Sequence, residues 1–162
     1  MAKMFASWVP AHGVSVEHGP NYFERRGWGV TSSVAGNGSR FVDEHGTVFH
    51  FNYFHISIPT PVIVEDRRAT LHAVHYLFDA RGGARLTRVD VFDGPTELPS
   101  HTGLYVQGNH AGGLDANNGV EVNRDGIAWG IGLTLKFEAY EAEASSAMVY
   151  FSGFGGDFYH NI

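Results

Sequence analysis

Apolar and polar residues alternate most regularly between positions 129 and 137, where the sequence reads WGIGLTLKF. Large apolar side chains occupy the odd positions, and glycine, threonine and lysine occupy the even positions. A repeat of two residues is typical of a β-strand that buries one face. The segment therefore predicts a strand with Trp129 in the core, and Trp8 is assigned to the core as well.

Shorter runs of β-branched and aromatic residues predict further strands. The densest run, VFHFNYFHISIPTPVIV at 48–64, is broken by Pro59 and Pro61, which indicates a sheet edge and a change of direction. Glycines on both sides of Trp28 indicate a bulge or a close backbone approach within a strand. The other predicted strands are Phe5–Val9, Val14–Glu17, Tyr22–Val34, Phe49–Ile58, Thr70–Phe78, Arg85–Phe92 and Met148–Ser152. A short helical turn is predicted at Glu138–Ser146, and a tail at 153–162 follows the last strand.

These elements predict an all-β fold. The chain has 21 glycines and 6 prolines, which separate short apolar runs at the spacing expected of sandwiches and barrels. No repeat of fixed period and no change of composition marks a second domain, so residues 1–162 are expected to form a single domain. We expect a two-sheet antiparallel β-sandwich, jelly-roll-like, and the alternative is a closed β-barrel of lipocalin or allene-oxide-cyclase type.

Charge and cysteine content remove several classes of function. The chain has no cysteine, which excludes disulfides, thiolate catalysis and cysteine-bound zinc. Its 11 basic and 17 acidic residues give a net charge of −6 with no basic stripe, so nucleic acid is not an expected partner. No apolar run reaches the roughly 20 residues of a membrane helix. The N-terminal segment reaches Pro10 before a signal-type apolar core accumulates, so a cytoplasmic location is expected.

Several sequence blocks together are similar to a known family. They are Ala6–Val9, Gly27–Gly29, Ile58–Val64, Val91–Pro95, Gly130–Gly132 and Ser152–Phe158. They resemble an uncharacterised bacterial family of small single-domain all-β proteins, and they span nearly the whole chain. The resemblance implies a single-domain β fold, and it supplies no activity and no catalytic residues.

The ten histidines contain no chelating pair. His50 and His55 are five residues apart and His72 and His75 are three apart, so each pair points to opposite faces of a regular strand. A metal site would need histidines from different strands, for instance His55 and His75 with a carboxylate. The alternative is that these rings simply pack and form hydrogen bonds in a sheet.

A long polar loop at 107–119, QGNHAGGLDANNG, is a candidate recognition site. The oxygens of Asp and Asn suit sugar hydroxyls or calcium, whereas ordinary turn chemistry is the alternative explanation. Trp28, which lies between glycines, and Tyr53 are candidate ligand-facing rings. The predicted ligand-binding residues are therefore Trp28, Tyr53, Asn109, His110, Asp115, Asn117 and Asn118.

Two functions follow from these candidates. The first is a ligand-binding module, lectin-like, that recognises a carbohydrate or another small polar ligand through loops at one end of the sandwich. The alternative is a cyclase, isomerase or lyase, cofactor-free or with a histidine-bound metal, that acts in an aromatic-lined cavity through His55 and His75. No cofactor is predicted, and calcium and a histidine-bound transition metal stay open. Unpaired strand edges also leave a self-associating scaffold, a homo-oligomer, as a third possibility.

Overall fold

The computed structural model describes residues 2–161, and two antiparallel sheets account for most of them. Sheet A holds β1 (Ala2–Pro10), β3 (Phe23–Arg26), β4 (Gly29–Ser33), β9 (Thr70–Arg81), β12 (Gly108–His110), β13 (Gly119–Arg124) and β15 (Met148–Asn161). Sheet B holds β2 (Ser15–Val16), β5 (Arg40–Val42), β6 (Val48–Ile58), β10 (Arg85–Asp93), β11 (Thr96–Glu97) and β14 (Ile131–Tyr140). A separate ribbon joins β7 (Ile63–Val64) to β8 (Arg67–Arg68), and short 3₁₀ turns lie at Ala11–Gly13 and Glu141–Glu143.

The strand order is that of a jelly roll. The chain crosses from one sheet to the other between successive long strands, so β9 lies in sheet A, β10 in sheet B, β13 in sheet A and β14 in sheet B. Sheet A has the order β12-β9-β15-β4-β3 and sheet B the order β11-β10-β14-β6-β2. The first and last strands of each sheet are not paired with each other, so neither sheet closes, and this distinguishes the fold from a barrel. The prediction of an all-β, two-sheet sandwich is therefore confirmed.

Phenylalanine rings fill the space between the sheets. Phe54 and Phe137 from sheet B meet Phe151 of sheet A, with ring centroids 5.0 and 5.6 Å from it. Phe137 also contacts Phe78 at 5.5 Å, and all four rings are at most 1% exposed. Each such ring contributes about 1.5–3 kcal/mol by leaving water. With no disulfide in the chain, this packing holds the two sheets together.

The alternation along β6 and β14 assigns every second side chain to the outer face of sheet B. On β6, Phe54 and Ile56 are buried, while Tyr53 and His55, which alternate with them, are partly exposed. The register pairs His55 with Thr134 on β14, so the outward residues of the two strands lie side by side. One pair of strands thus builds both the core and an exposed surface.

The predicted single strand Tyr22–Val34 is wrong, because the glycines flanking Trp28 form a turn. Residues 27 and 28 connect β3 to β4 as a hairpin. Gly29 follows with φ +155°, and a Cβ there would lie 2.0 Å from the carbonyl oxygen of Phe151. Only glycine allows β4 to approach β15 this closely.

The predicted tail at 153–162 is also wrong, whereas the short helical turn predicted within Glu138–Ser146 is found as a 3₁₀ turn at Glu141–Glu143. β15 runs without a break to Asn161, pairing with β9 along one edge and with β4 and then β1 along the other. Its glycines are compatible with a strand here because Trp8 of β1 lies over Gly155 and covers it. The acidic segment continues β14 to Tyr140 before a single 3₁₀ turn. Within residues 2–161, no helix has the length and apolar character needed to cross a membrane.

Replacing Phe137 by alanine tests the role of the ring cluster. We expect Phe137→Ala to lower the free energy of unfolding by about 3–5 kcal/mol, because it removes the ring that contacts both sheets and leaves a cavity. Leu114→Ala is the matched control, since Leu114 is 58% exposed and its loss is expected to cost little. Chemical denaturation of the three proteins measures the difference, and equal midpoints would contradict this assignment of the core.

Candidate functional site

The outer face of sheet B carries an open groove whose floor is made of residues with little or no side chain. Gly132 on β14 lies opposite Ser57 on β6, and Gly94 follows the end of β10. Because these positions add little bulk, the backbone forms the floor and the flanking side chains form the walls. We call this depression the Trp129 groove.

Two connected parts make up the groove and share Ser57, Gly94 and Gly132. One part, of about 420 Å³, is lined by Gly13, Ser15, His55, Ile56, Ser57, Phe92, Gly94, Gly132, Leu133 and Thr134. The other, of about 350 Å³, is lined by Ser57, Ile58, Thr60, Gly94, Trp129, Gly130, Ile131 and Gly132. Both volumes fall within the roughly 300–1,000 Å³ typical of small-molecule sites.

Trp129 stands at one end of the groove and is 73% exposed, so its assignment to the core is wrong. β14 begins at Ile131, and Gly130, with φ +151°, lies between the strand and the tryptophan. The indole lies against Gly94, where an added Cβ would come within 2.8 Å of the Trp129 ring. The alternation of large apolar and small residues in the sequence therefore extends to residue 129, whereas the strand itself begins only at Ile131.

A buried carboxylate fixes the segment that carries Trp129. Asp93 is fully buried, and its side chain accepts hydrogen bonds from the backbone N–H groups of Ala128 at 2.8 Å, Trp129 at 2.9 Å and Gly130 at 3.3 Å. Burial opposes ionisation of Asp93, but these hydrogen bonds and the nearby Arg124 guanidinium outweigh it and lower the pKa of the carboxyl. The tryptophan is thus displayed on a rigid support.

Polar side chains form the walls of the groove. His55 Nδ1 and Thr134 Oγ1 are 2.8 Å apart and hydrogen-bonded, and His55 Nε2 lies 3.9 Å from the carboxylate of Glu17. At the other end, Thr60 Oγ1 donates to the Ile58 carbonyl and accepts from the Ile131 N–H. Hydrogen bonds therefore hold the His55 imidazole and the Thr134 and Thr60 hydroxyls in place.

An aromatic row continues the same face beyond His55, and it contains Tyr53. The stacked rings Phe41 and Phe49 lie 5.1 Å apart, and the Lys136 ammonium lies 5.8 Å from the Tyr53 ring. Arg85 lies 4.2 Å from the centre of the Tyr140 ring and is 2% exposed. These cations face aromatic rings, which is a favourable arrangement.

The predicted catalytic histidines lie on opposite sides of the molecule, so the expectation of an interior cavity containing them is wrong. His55 projects from sheet B, whereas His75 projects from sheet A, where its Nε2 is 2.8 Å from Asp157 Oδ2. Trp8 stacks on His75 with ring centroids 6.0 Å apart and is 41% exposed, so its assignment to the core is also wrong. Phenylalanine rings fill the space between the two histidines.

The polar loop at 107–119 uses many of its oxygens internally. Asn118 is fully buried, accepts the Asp115 N–H and donates to the carbonyls of His110 and Gly113. Asp115 accepts the Asn117 N–H at 2.7 Å and lies 2.9 Å from His110 Nδ1. The structure thus favours turn chemistry for this loop, and Asn118 has no exposed atom to offer a ligand.

The remaining predicted residues are not brought together. Asn109 and Asn117 are exposed in the loop, which packs against the edge of sheet A through β12 and β13. Trp28 lies in a different cleft of sheet A, and Tyr53 lies on sheet B beside the groove. Across residues 2–161, no three histidine, aspartate or glutamate side chains converge in a way that would hold a metal ion.

The main residues of the groove escaped sequence reasoning. The sequence predicts Trp129 in the core, and it gives Asp93 no functional role. The useful signal was the pair of glycines at 130 and 132, since alternate glycines on the outer face of a strand leave a depression.

The sequence matches no protein-family model and no curated protein. Among solved structures, the chain is similar to a carbohydrate-binding module CBM36 in complex with calcium and xylotriose, with 12% identity and a TM-score of 0.40 over 91% of this chain and 97% of that chain. It is also similar to the CBM36-1 domain of a multidomain xylanase from the hindgut metagenome of Trinervitermes trinervoides, with 12% identity and a TM-score of 0.43 over 94% and 96%. A third is TmCBM61 in complex with β-1,4-galactotriose, with 12% identity and a TM-score of 0.33 over 97% and 88%. At these scores the similarity supports no conclusion about ligand or site.

The support of Trp129 can be tested by titrating Asp93. Because the pKa of Asp93 is lowered in the folded protein, its stabilisation is present above the ordinary pKa and is lost as the pH falls through the folded value, below about pH 4. We expect Asp93→Asn to cost roughly 1–3 kcal/mol of unfolding free energy near pH 7, and the difference from wild type to shrink in acid. Denaturation at several pH values measures this, with the exposed Glu44→Gln as control. A pH-independent difference would contradict the role given to the ionised carboxylate.

The His110–Asp115 pair predicts a pH optimum for the order of the loop. Burial lowers the pKa of His110, but its hydrogen bonds to Asp115 and the Gln107 carbonyl and the charges of Asp115 and Asp79 raise it overall. The pKa of Asp115 is lowered, chiefly by His110. The pair therefore stabilises the loop above the ordinary pKa of aspartate and loses this effect as the pH rises through the folded pKa of His110, so protection is greatest between about pH 4 and 6.5.

Hydrogen exchange of the Asp115 and Asn117 amides, corrected for intrinsic rates, measures this dependence. His110→Ala should remove it, whereas the exposed His45→Ala should leave it unchanged. The same pH dependence in His110→Ala would rule out the pair as its origin.

Proposed function

We propose that the protein is a carbohydrate-binding module that holds a short oligosaccharide in the Trp129 groove. One observation carries the proposal: the segment that bears a 73% exposed indole is held by a buried carboxylate at the end of a groove with polar walls. Exposed apolar surface that is rimmed by polar residues marks interaction sites.

The apolar part of such a ligand would be a sugar ring. A pyranose has a face of C–H groups and a periphery of hydroxyls, so the face can cover an indole while the hydroxyls point sideways. Covering the exposed part of Trp129 removes apolar surface from water, with a gain of up to about 1.5–3 kcal/mol. Because Asp93 already holds the segment, little of this gain is lost to ordering the protein.

The polar part of the groove suits hydroxyl groups rather than charges. Its lining contains Ser15, His55, Ser57, Thr60 and Thr134, and it contains no lysine, arginine, aspartate or glutamate. A hydroxyl both donates and accepts hydrogen bonds, which matches a sugar hydroxyl in either role. An anionic ligand such as nucleic acid would lack a counter-charge in this groove.

The groove has room for more than one sugar ring. Four residues of extended chain separate Gly130 from Thr134, a distance of about 13 Å. The lining is open to solvent along this length, and the aromatic row continues the same face. We therefore expect internal segments of a linear glycan to bind, rather than only chain ends.

Binding fits the groove better than cleavage does. Most glycoside hydrolases use two carboxylates on either side of the scissile bond, and the groove lining has none. His55 is the one titratable group in the lining and is held by Thr134. We therefore assign His55 to hydrogen bonding with a ligand hydroxyl.

Removing the indole tests the proposal. Xylotriose and β-1,4-galactotriose, the sugars bound in two similar structures, and the corresponding polysaccharides are suitable first probes. We expect wild type to bind at least one of them and Trp129→Ala to weaken that binding about tenfold or more, equivalent to roughly 1.4 kcal/mol or more. Calorimetric titration measures the affinity, and circular dichroism confirms that the variant is folded.

Three further measurements sharpen the test. Trp8→Ala removes an exposed tryptophan from the opposite sheet and should leave affinity unchanged. Titrations in chelator and in excess calcium should agree, because hydroxyl, imidazole and ring contacts need no metal. Reducing-end assays before and after incubation should show no cleavage. Equal affinity of wild type and Trp129→Ala for every bound sugar would overturn the assignment of the groove.

A further inference from the structure

A second cleft with exposed rings lies on the outer face of sheet A. It has a volume of about 570 Å³ and lies where β3, β4 and β15 run side by side. Its lining residues are Tyr22, Arg26, Trp28, Thr31, Met148 and Tyr150. We call it the Trp28 cleft, and the two sheets with their shared core separate it from the Trp129 groove.

Aromatic rings form the walls of this cleft. Trp28 is 49% exposed and Tyr22 is 43% exposed. The Trp28 and Tyr150 rings have centroids 6.0 Å apart and are tilted by 35°, so they form an angled wall rather than a closed stack. The Arg81 guanidinium lies 5.0 Å from the centre of the Tyr150 ring and is held by Asp79. The Tyr150 ring therefore contacts a cation that is itself held by a carboxylate, and Trp28 and Tyr22 are exposed.

The floor of the cleft contains a hydroxyl without a partner. Thr31 is 4% exposed, lines the cleft, and its Oγ1 has no hydrogen-bond partner. A buried polar group left unpaired costs about 1–3 kcal/mol, so such groups are uncommon unless something else satisfies them. Because Oγ1 itself is closed to solvent, a ligand hydroxyl reaches it only after the Thr31 side chain turns towards the cleft, and that contact would remove this cost.

At the rim of the cleft, opposite charges are paired with each other. Arg26 and Glu24 form an ion pair at 2.9 Å, and the Tyr22 hydroxyl donates to the same Glu24 carboxylate. The charges compensate each other, so the rim offers donors and acceptors without favouring either sign of ligand charge. An exposed indole and hydroxyl-bearing side chains are common to the two sites, whereas the cleft adds a charge-compensated rim that the groove lacks.

We infer that the Trp28 cleft is a second sugar-binding site and that the protein is bivalent. The inference rests on the proposed function only in taking a carbohydrate as the ligand class. Because the two sites lie on opposite sheets, one short glycan cannot occupy both at once. Two separate glycan chains can each occupy one site, and the protein then cross-links them. Polysaccharides that engage several such sites gain an avidity that neither site has alone.

Site-specific fluorescence tests the inference. The chain has three tryptophans. Trp129 lies in the groove, Trp28 lies in the cleft, and Trp8 stacks on His75. In Trp8→Phe/Trp129→Phe the remaining indole is Trp28, and in Trp8→Phe/Trp28→Phe it is Trp129. Each variant is titrated with xylotriose, β-1,4-galactotriose and cellohexaose. We expect saturable changes in the Trp28 emission with at least one sugar, and about tenfold weaker binding once Thr31→Val is added.

Cross-linking of soluble xylan and galactan provides the second measurement. Wild type should increase the light scattering of a polysaccharide that it binds, whereas Trp28→Ala and Trp129→Ala should each bind without increasing it. Thr31→Val is nearly isosteric and removes an unpaired hydroxyl, so it should fold normally.

The outcomes separate the two proposals. Trp129 emission that responds while Trp28 emission stays flat with all three sugars would overturn the second site and keep the groove. A response of Trp28 alone would support the cleft and overturn the groove. No response from either tryptophan, with no increase in scattering, would overturn both.

Discussion

The two-residue repeat of side-chain direction along a strand is the constraint on which this protein depends. On β6 and β14, one set of side chains packs against sheet A and the intervening set faces solvent. The core set is made of phenylalanine and aliphatic residues, and the outward-facing set contains His55, Thr134 and Gly132. The shape of the groove is therefore fixed by the same register that aligns the core. A shift of one residue between the strands would expose the rings and bury the polar groups.

Much of the fold could be predicted because this repeat is visible in the sequence. The strands Phe49–Ile58, Thr70–Phe78 and Arg85–Phe92 fall within observed strands, since their apolar runs match one buried face. Predictions failed at glycines, because a glycine is compatible with a turn, a bulge or a covered strand. Gly27 and Gly29 indicated a bulge or a close backbone approach; they flank a hairpin turn, and Gly29 does lie close to the backbone of Phe151. Gly153 and Gly155 were expected in a tail and lie in a strand beside Trp8.

The candidate site was harder to predict, because exposure of a ring is a property of the whole fold. A tryptophan in an alternating strand is normally buried, and neither Trp8 nor Trp129 carries a local signal that it is not. Asp93 likewise reads as a turn residue until the structure shows it 35 residues away from Ala128 in sequence and bonded to it. Tyr53 and His55 were identified from composition alone and lie beside or in the groove. The polar loop was identified in the same way, and its oxygens mainly hold its own backbone.

Asp93 bonds to the backbone of residues 128–130 and makes no use of the indole itself. These three hydrogen bonds would therefore persist with another side chain after Ala128, although the packing of the indole on Gly94 would be lost. The backbone at position 129 is held at the end of the groove for whichever side chain it carries. Ligand preference at this end of the groove is therefore free to diverge, or to be engineered, without refolding the scaffold.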